Sequence, residues 1–231
     1  MDEHILQLQP RLRLLADLVG EGARLVDVGT DHAYLPTYLL QQGKISCAIA
    51  TDIHDKPLQH ARETAALYGV ENRLFLRLCD GLAAVEAGEC DLVVIAGMGG
   101  DSIAAILSAA PWTADGAHRL LLQPMTKAEM LRGWLAESGY IITGERLVRD
   151  RDFLYPVLMV RGGQASPLTE AEQFGGVGLK GDPLYREYLD HQIERLRRAA
   201  DGLRLAADGR EAAEQKDALR QKLEEMRDHL C

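Results

Sequence analysis

The chain has 231 residues, of which 47% are hydrophobic and 26% charged, and its formal net charge is −9. This composition is that of a folded globular protein, which excludes disordered and collagen-like classes for most of the chain. The acidic balance also argues against binding nucleic acid by overall attraction, although a local basic patch on an acidic body is compatible with it.

The first 165 residues alternate between predicted helices and short apolar strands. Helices are predicted over 10–19, 33–42, 56–68, 102–109 and 127–137, and strands over 24–28, 47–50, 73–78, 91–96 and 118–122. Two consecutive strands, over 140–148 and 153–160, then predict a hairpin. Short buried strands alternating with helices are typical of an α/β fold, a parallel sheet with helices on both faces, and the hairpin adds an antiparallel edge.

Residues 161–181 are rich in glycine, and the composition changes after them. Apolar residues then alternate spacings of three and four over 189–207 and again over 212–230, although Lys216 interrupts the second stripe. This pattern predicts an antiparallel coiled-coil hairpin of two helices. We therefore expect two domains, 1–165 and 166–231. The stripes alone leave open whether the hairpin dimerises, packs on the sheet or binds a partner.

The N-terminal segment MDEHILQLQPRLRLL begins with acidic residues and has no uninterrupted apolar region, so no signal peptide is predicted. No apolar run approaches the ~18–20 residues of a transmembrane helix, and a cytoplasmic location without membrane contact is expected. The cysteines at 47, 79, 90 and 231 lack zinc or redox spacing and are expected to be buried thiols. The histidines show no metal spacing either, so no metal is predicted.

Acidic residues and glycines follow the predicted parallel strands, where ligands bind in open sheets of this kind. Asp27, Gly29 and Asp31 follow the first strand, Asp52 the second and Asp80 the third. The glycine allows a tight turn close to a ligand, Asp52 is placed for ribose hydroxyls, and Asp80 can accept from an exocyclic amine. A dinucleotide fingerprint is missing, and Asp31 would repel a pyrophosphate. The loops therefore favour a cationic or zwitterionic ligand.

The order of these loops resembles that of class I S-adenosylmethionine-dependent methyltransferases. The strings LVDVGTDHAYLP, ATDI, CDGL, VIAGMGG and LLLQPM, followed by LRGWLAESGY, resemble more narrowly the bacterial tRNA adenine-N1 methyltransferase family that modifies adenine 22. That family joins a Rossmann-like domain to a C-terminal coiled-coil hairpin, so the resemblance covers nearly the whole chain. It implies S-adenosylmethionine as cofactor, tRNA as partner and methyl transfer to N1 of an adenine.

The resemblance also implies roles for individual residues. The cofactor-binding positions are Asp27, Gly29, Asp31, His32, Asp52, Ile53, Asp80, Gly81, Ala96, Gly97 and Met98. Arg11 matches an arginine near the family's first helix, although Gln9 and Pro10 stand where a serine is usual. The broader class's glycine motif is degraded at Asp31 and Ala33. The absence of an N-P-P-Y or D-P-P-Y string argues against methylation of an exocyclic amine and fits a ring nitrogen.

Asp31 and Tyr34 are the candidate catalytic residues. Adenine N1 carries an in-plane lone pair, so the reaction needs alignment rather than a strong base. Asp31 would favour the positive charge that develops on the base; its alternatives are a helix cap or a partner of the cofactor ammonium group. Tyr34 would stack on a flipped base or serve as a core aromatic. His32 is expected to form structural hydrogen bonds rather than to shuttle protons.

Because the chain is acidic overall, its clustered arginines are the candidates for contact with an anionic partner. We expect two groups of arginines to contact tRNA phosphates: Arg195, Arg197, Arg198 and Arg204 on one helix, and Arg146, Arg149 and Arg151 on the strand hairpin. Arg11 and Tyr34 complete the expected substrate site. The alternative is solvated helix charge. Two other functions compete: a methyltransferase for a small molecule or protein, and a non-catalytic Rossmann-like module that binds RNA or a partner. A monomer or weak dimer is expected.

Overall fold

The computed structural model describes residues 5–206 and 208–230; Ala207, in the first predicted stripe, and Cys231 lie outside these residues. The strands are β1 Leu25–Val28, β2 Ala48–Asp52, β3 Leu74–Leu78, β4 Leu92–Gly99, β5 Arg119–Thr126, β6 Tyr140–Asp150 and β7 Phe153–Gly162. They form one seven-stranded sheet in the order β3-β2-β1-β4-β5-β7-β6.

The sheet is parallel from β3 through β5 and antiparallel at β7 and β6. All of β1 and the first four residues of β4 are buried, because helices cover both faces there. The chain reverses its direction of travel across the sheet between β1 and β4, and a ligand-binding crevice is expected at such a switch point. The predicted Rossmann-like sheet with a terminal antiparallel hairpin is confirmed.

Helices cover the two faces of the sheet in separate groups. They are α1 Pro10–Leu18, α2 Tyr34–Gln41, α3 Asp55–Leu67, α4 Gly100–Ala109 and α5 Ala128–Glu137. One apolar cluster packs α1, α2 and α3 on the first face through Leu15, Leu39 and Ala61. A second packs α4 and α5 on the other face through Ile103 and Leu131. The core therefore lies on both sides of the central strands, and their carboxyl ends remain accessible.

The C-terminal part contains α6 Glu170–Gly175, α7 Tyr185–Arg204 and α8 Arg210–Asp228. Leu189 and Leu196 of α7 and Leu223 of α8 are buried in a shared apolar cluster. Arg227, late in α8, pairs with Asp190, early in α7, at 3.0 Å, so the helices run antiparallel. The predicted helical hairpin is thus confirmed.

Lys216 interrupts the apolar stripe of α8 for a reason outside the hairpin. Its Nζ lies 3.5 Å from a carboxylate oxygen of Glu170 and 5.8 Å from the centre of the Phe174 ring. Both partners belong to α6, a helix that the sequence did not predict. The charged residue therefore marks the position where a third helix packs on the hairpin.

A buried ion pair joins the hairpin to the sheet. Arg132 and Glu145 have fully buried side chains and lie 2.7 Å apart. The Arg132 guanidinium also donates to the Gln173 carbonyl at 2.7 Å and to the Tyr188 hydroxyl at 3.2 Å, and Glu145 accepts from the Val177 N–H at 2.8 Å. These contacts connect α5, β6, α6 and α7, so the C-terminal helices continue the packing of the sheet.

Two expectations need correction or qualification. Cys90 is buried, but Cys47 and Cys79 are partly exposed, so the expectation of uniformly buried thiols is wrong. Among the helices that the structure describes, none is both long enough and apolar enough to cross a membrane.

Candidate active site

A cavity of about 480 Å³ opens at the carboxyl ends of the parallel strands. Its lining includes six of the predicted cofactor-binding residues: Gly29, Asp52, Ile53, Asp80, Gly81 and Met98. The α4 residues Ser102, Ala105 and Ile106 form another wall. The sequence predicted a helix over 102–109 but gave it no role at the ligand edge. Its position directly after the small residues that end β4 was the signal that could have assigned it to the ligand edge.

The loop after β1 adopts an uncommon backbone conformation. Gly29, Asp31 and Ala33 have φ values of 70°, 48° and 53°, and this left-handed region disfavours residues with a side chain. The Gly29 and Thr30 N–H groups donate to the Thr51 carbonyl at 2.8 and 3.1 Å, which anchors the turn on β2. Strain of this kind persists only where surrounding contacts maintain it, and it is found most often at functional sites.

Asp27 lies beneath this loop rather than in the cavity wall. Its side chain accepts a hydrogen bond from the Thr30 hydroxyl at 2.5 Å. Burial raises the pKa of Asp27 to about 6, and the Thr30 hydrogen bond offsets part of that rise. The carboxylate is therefore a negative charge held below the cavity and sensitive to mild acid.

Asp52 and Asp80 stand at the cavity mouth. One Asp52 oxygen accepts from the His54 N–H at 2.9 Å, and no described residue hydrogen-bonds to the other. Asp80 is exposed, and no hydrogen bond from the described residues reaches its carboxylate. Ionised carboxylates only accept hydrogen bonds, so the pair suits a ligand with hydroxyl and amine donors. The neighbouring Ile53 and Ile106 provide apolar surface for a flat ring.

Three rings stack beside the cavity mouth. His32 lies between Tyr34, with ring centres 5.1 Å apart, and His60, at 4.6 Å. Tyr34 is 40% exposed, so its interpretation as a core aromatic is wrong. Ala33 is the N-cap of α2, and Asp31 does not cap the helix, which removes that alternative. His60 of α3 was missed, because nothing in its local sequence connects it to the first loop.

Asp31, His32 and His60 have ligand atoms within 4.8 Å of one another, which are the residue types of a metal site. The two imidazole planes, however, lie within 6° of parallel. A metal ion must lie in the plane of each imidazole that binds it, and parallel stacked planes do not meet. The arrangement observed is a stack of rings, and one ring would have to turn before both could hold an ion.

Gln123, in the second half of β5, connects the end of β4 at Gly97 to the terminal hairpin. Its fully buried side-chain oxygen accepts from the Gly97 N–H at 3.2 Å and from Arg11 Nη1 at 3.0 Å. Arg11 Nε also donates to Asp150 at 2.7 Å. Arg11 is thus fixed inside a network behind the last residues of β4, which include Ala96, Gly97 and Met98. Gln123 lies within the string LLLQPM, and the local sequence indicates no role for it.

The other predicted substrate arginines lie away from the cavity and have acidic partners. Arg149 pairs with Glu187, and Arg197 and Arg198 share Glu194. These arginine side chains remain largely exposed. Arg195 lies 3.0 Å from Glu129, in the first turn of α5. Because α5 begins beyond the carboxyl end of β5, Arg195 connects the hairpin surface to the ligand-binding edge.

A seven-stranded sheet of this order, with a glycine turn after β1 and carboxylates after β2 and β3, defines a class I methyltransferase. The methyltransferase domain family matches residues 8–158.

The tRNA (adenine(22)-N(1))-methyltransferase of Bacillus subtilis (strain 168) is 35% identical over 184 residues, which is 80% of this chain and 75% of that protein. Two solved structures cover almost the whole chain. Sp1610 of Streptococcus pneumoniae, in complex with S-adenosyl-L-methionine, gives a TM-score of 0.79 at 32% identity over 92% of this chain and 97% of its own. M. capricolum TrmK, in complex with S-adenosyl-homocysteine, gives a TM-score of 0.80 at 27% identity over 99% of this chain and 100% of its own. The chain belongs to the tRNA (adenine(22)-N(1))-methyltransferase family.

Proposed function

We propose that this protein transfers a methyl group from S-adenosylmethionine to N1 of adenine 22 in tRNA. The observation that carries the proposal is the nucleoside-sized cavity with Asp52 and Asp80 at its mouth, in a chain of this family. A small-molecule or protein substrate would leave the C-terminal hairpin without a role. A non-catalytic module would not explain a cavity with both carboxylates free to accept hydrogen bonds.

S-adenosylmethionine supplies a methyl group bound to a positively charged sulfur. Asp52 accepts hydrogen bonds from the ribose hydroxyls, and Asp80 accepts from the adenine amine of the cofactor. Ile53 and Ile106, which line the cavity, would provide apolar surface for that adenine. Asp27, below the loop, contributes negative charge that favours a cationic ligand. Gly29 and Gly81 give the backbone around the cavity the shape that this ligand needs. His32 does the same for the ring stack beside the cavity.

The target adenine needs positioning more than activation, because its N1 lone pair is available for attack. The exposed face of Tyr34 offers a stacking surface for the flipped base. Asp31, whose side chain is 71% exposed, provides a carboxylate for the positive charge that develops and can accept from the base amine. Gln123 accepts a hydrogen bond from the Gly97 N–H. This contact would hold Ala96 and Met98, at the end of β4, beside the base and the cofactor.

The remaining assignments belong to the same proposal. Residues 1–165 form the methyltransferase domain, and residues 166–231 form a hairpin that contributes Arg195, Arg197 and Arg198 to tRNA binding. Arg149 belongs to the same phosphate-binding surface. The protein acts without a metal, as a monomer or weak dimer, and in the cytoplasm, where its substrate is found.

The test is methyl transfer from labelled S-adenosylmethionine to unmodified tRNA, followed by nucleoside analysis. We expect 1-methyladenosine, and we expect none when adenine 22 is replaced by guanine. The D52N variant should lose cofactor affinity while retaining its fold. Cofactor binding without any labelled tRNA would contradict the proposal and move the substrate to the small-molecule or protein class.

A further inference from the structure

Few aromatic side chains are available on the surface of this protein, since aromatic residues make up only 5% of the chain. Phe153 is 62% exposed, the largest exposed fraction of any aromatic side chain among the described residues. It is the first residue of β7, directly after the turn of the terminal hairpin. Exposing a large apolar ring is unfavourable in water, so its location needs explanation.

Phe153 belongs to a continuous face of the hairpin. It pairs with Asp150 across the strands, and Tyr155, two residues on, points to the same face. The Phe153 and Tyr155 ring centres are 6.2 Å apart. The Arg11 guanidinium carbon lies 5.5 Å from the centre of the Tyr155 ring. Two aromatic rings and a planar guanidinium therefore follow one another along this face.

This face leads to the candidate active site. β6 runs parallel to β5, because both are antiparallel to β7, so the hairpin turn lies at the carboxyl edge of the sheet. Arg11 donates to Gln123, and Gln123 accepts from the Gly97 N–H, so two hydrogen bonds link the stacked face to the end of β4 at the candidate site.

The charges around the turn do not oppose an anionic partner. Asp150 is paired with Arg11 at 2.7 Å. Arg151 and Asp152 are both exposed, and neither forms an ion pair within the described part of the chain. The free carboxylate of Asp152 therefore lies beside the free guanidinium of Arg151, and the two charges balance. Arg151 can reach a phosphate while the two aromatic rings contact a base.

We propose that Phe153 and Tyr155 form a stacking surface for an unpaired nucleobase of tRNA beside the target adenine, with Arg151 contacting its phosphate. The proposal rests on the proposed function. Removing one base from a helical stack exposes the faces of its neighbours. Proteins recognise such unstacked bases with aromatic rings and arginine planes, which is the chemistry this face offers.

The test is the equilibrium affinity of the full-length protein for unmodified tRNA, measured together with kcat/KM. Loss of one base–aromatic stack weakens affinity about 5-fold to 150-fold, and we expect F153A to fall in that range. F153W keeps an aromatic ring at this position and should bind tRNA with about the wild-type affinity. F75A is the matched control, because Phe75 is a similarly exposed ring, 53%, on β3 at the opposite end of the sheet. Cofactor affinity and Tm should be unchanged in all three.

Unchanged tRNA affinity in F153A, or an equal loss in F75A, would overturn the inference and leave Phe153 as a surface for a protein partner. Failure of the proposed function is a separate result. If the wild-type protein binds tRNA but does not methylate it, the effect of F153A on binding still decides the role of the stacking surface. If the wild-type protein does not bind tRNA, the inference is overturned together with the proposed function.

Discussion

At the residue scale, the three strand-end carboxylates differ because their surroundings differ. Asp52 and Asp80 face the cavity mouth, where a ligand can reach them. Asp27 is buried below the loop, and desolvation raises its pKa to about 6. The same residue type therefore lines the cavity at two positions and is a buried, pH-dependent charge at the third.

The pKa of Asp27 predicts a pH-dependent stability difference. Its value of about 6 in the folded protein exceeds the ordinary 3.8, so the folded state binds this proton more tightly than the unfolded chain. The contribution of Asp27 to the free energy of unfolding is therefore largest below pH 4 and declines as the pH rises to about 6. We expect the free energy of unfolding of D27N to exceed that of wild type by up to about 3 kcal/mol at pH 7. At pH 4 we expect no such difference.

Urea denaturation of both proteins at the two pH values measures this difference. Comparing the variant with wild type at each pH removes the contribution of every other titrating group. An equal stability difference at pH 4 and pH 7 would show that the pKa of Asp27 is not raised in the folded protein.

At the element scale, the buried pair of Arg132 on α5 and Glu145 on β6 is held by further hydrogen bonds to Gln173, Val177 and Tyr188 of the C-terminal part. A buried charge that loses its partner is strongly destabilising, because water cannot replace the lost interaction. We expect E145L to reduce the free energy of unfolding by about 3–5 kcal/mol, measured by chemical denaturation.

The control for E145L is the double variant R132M/E145L, which removes both charges. Replacing both members of a buried pair by apolar residues is often close to neutral, so the double variant should recover much of the lost stability. A double variant as unstable as E145L would mean that packing, rather than the uncompensated charge of Arg132, accounts for the loss.

The elements that the sequence predicted are those with a clear local pattern. Buried strands such as β1 and β4 read as short apolar runs ending at glycine or aspartate. The strand β4 continues to Gly99 because its end pairs with β5 through irregular register at Met98, which no local apolar run indicates. The helix α6 was missed within a glycine-rich stretch, although Thr169 and Glu172 form a capping box, a signal the sequence contains.

The candidate site was predictable to a similar extent. Strand-end residues were identified because parallel strands bring their ends together by rule. Gln123 and His60 were not, because their roles depend on distances between segments far apart in the chain. The side chain of Gln123 meets Arg11 across 112 positions of sequence. A single sequence without its fold gives no indication of such a contact.

At the scale of the whole molecule, an acidic protein must bind an acidic polymer through local features. Arg197 and Arg198 present exposed guanidinium groups on α7, although both contact Glu194. We expect R197E/R198E to weaken tRNA binding and to reduce the slope of log affinity against log salt by about 2, because each phosphate contact contributes about 1. Filter binding over a salt series measures both quantities.

The matched control for this pair is R210E, since Arg210 is an exposed arginine at the start of α8 that pairs with Glu214 of its own helix. R210E should retain the wild-type salt slope. Cofactor affinity should be unaffected in both proteins. If R197E/R198E kept the wild-type affinity and slope, these arginines would be solvated helix charge only.

The contact between Arg11 and Asp150 has a consequence for the order in which the chain acquires structure. It joins residues 139 positions apart. Synthesis proceeds from the N-terminus, so α1 emerges first but obtains this partner only after β6 has been made. Closing so long a loop costs chain entropy that only contacts formed at closure can offset. The contact that fixes the Arg11 side chain can thus form only after most of the sheet domain has been synthesised.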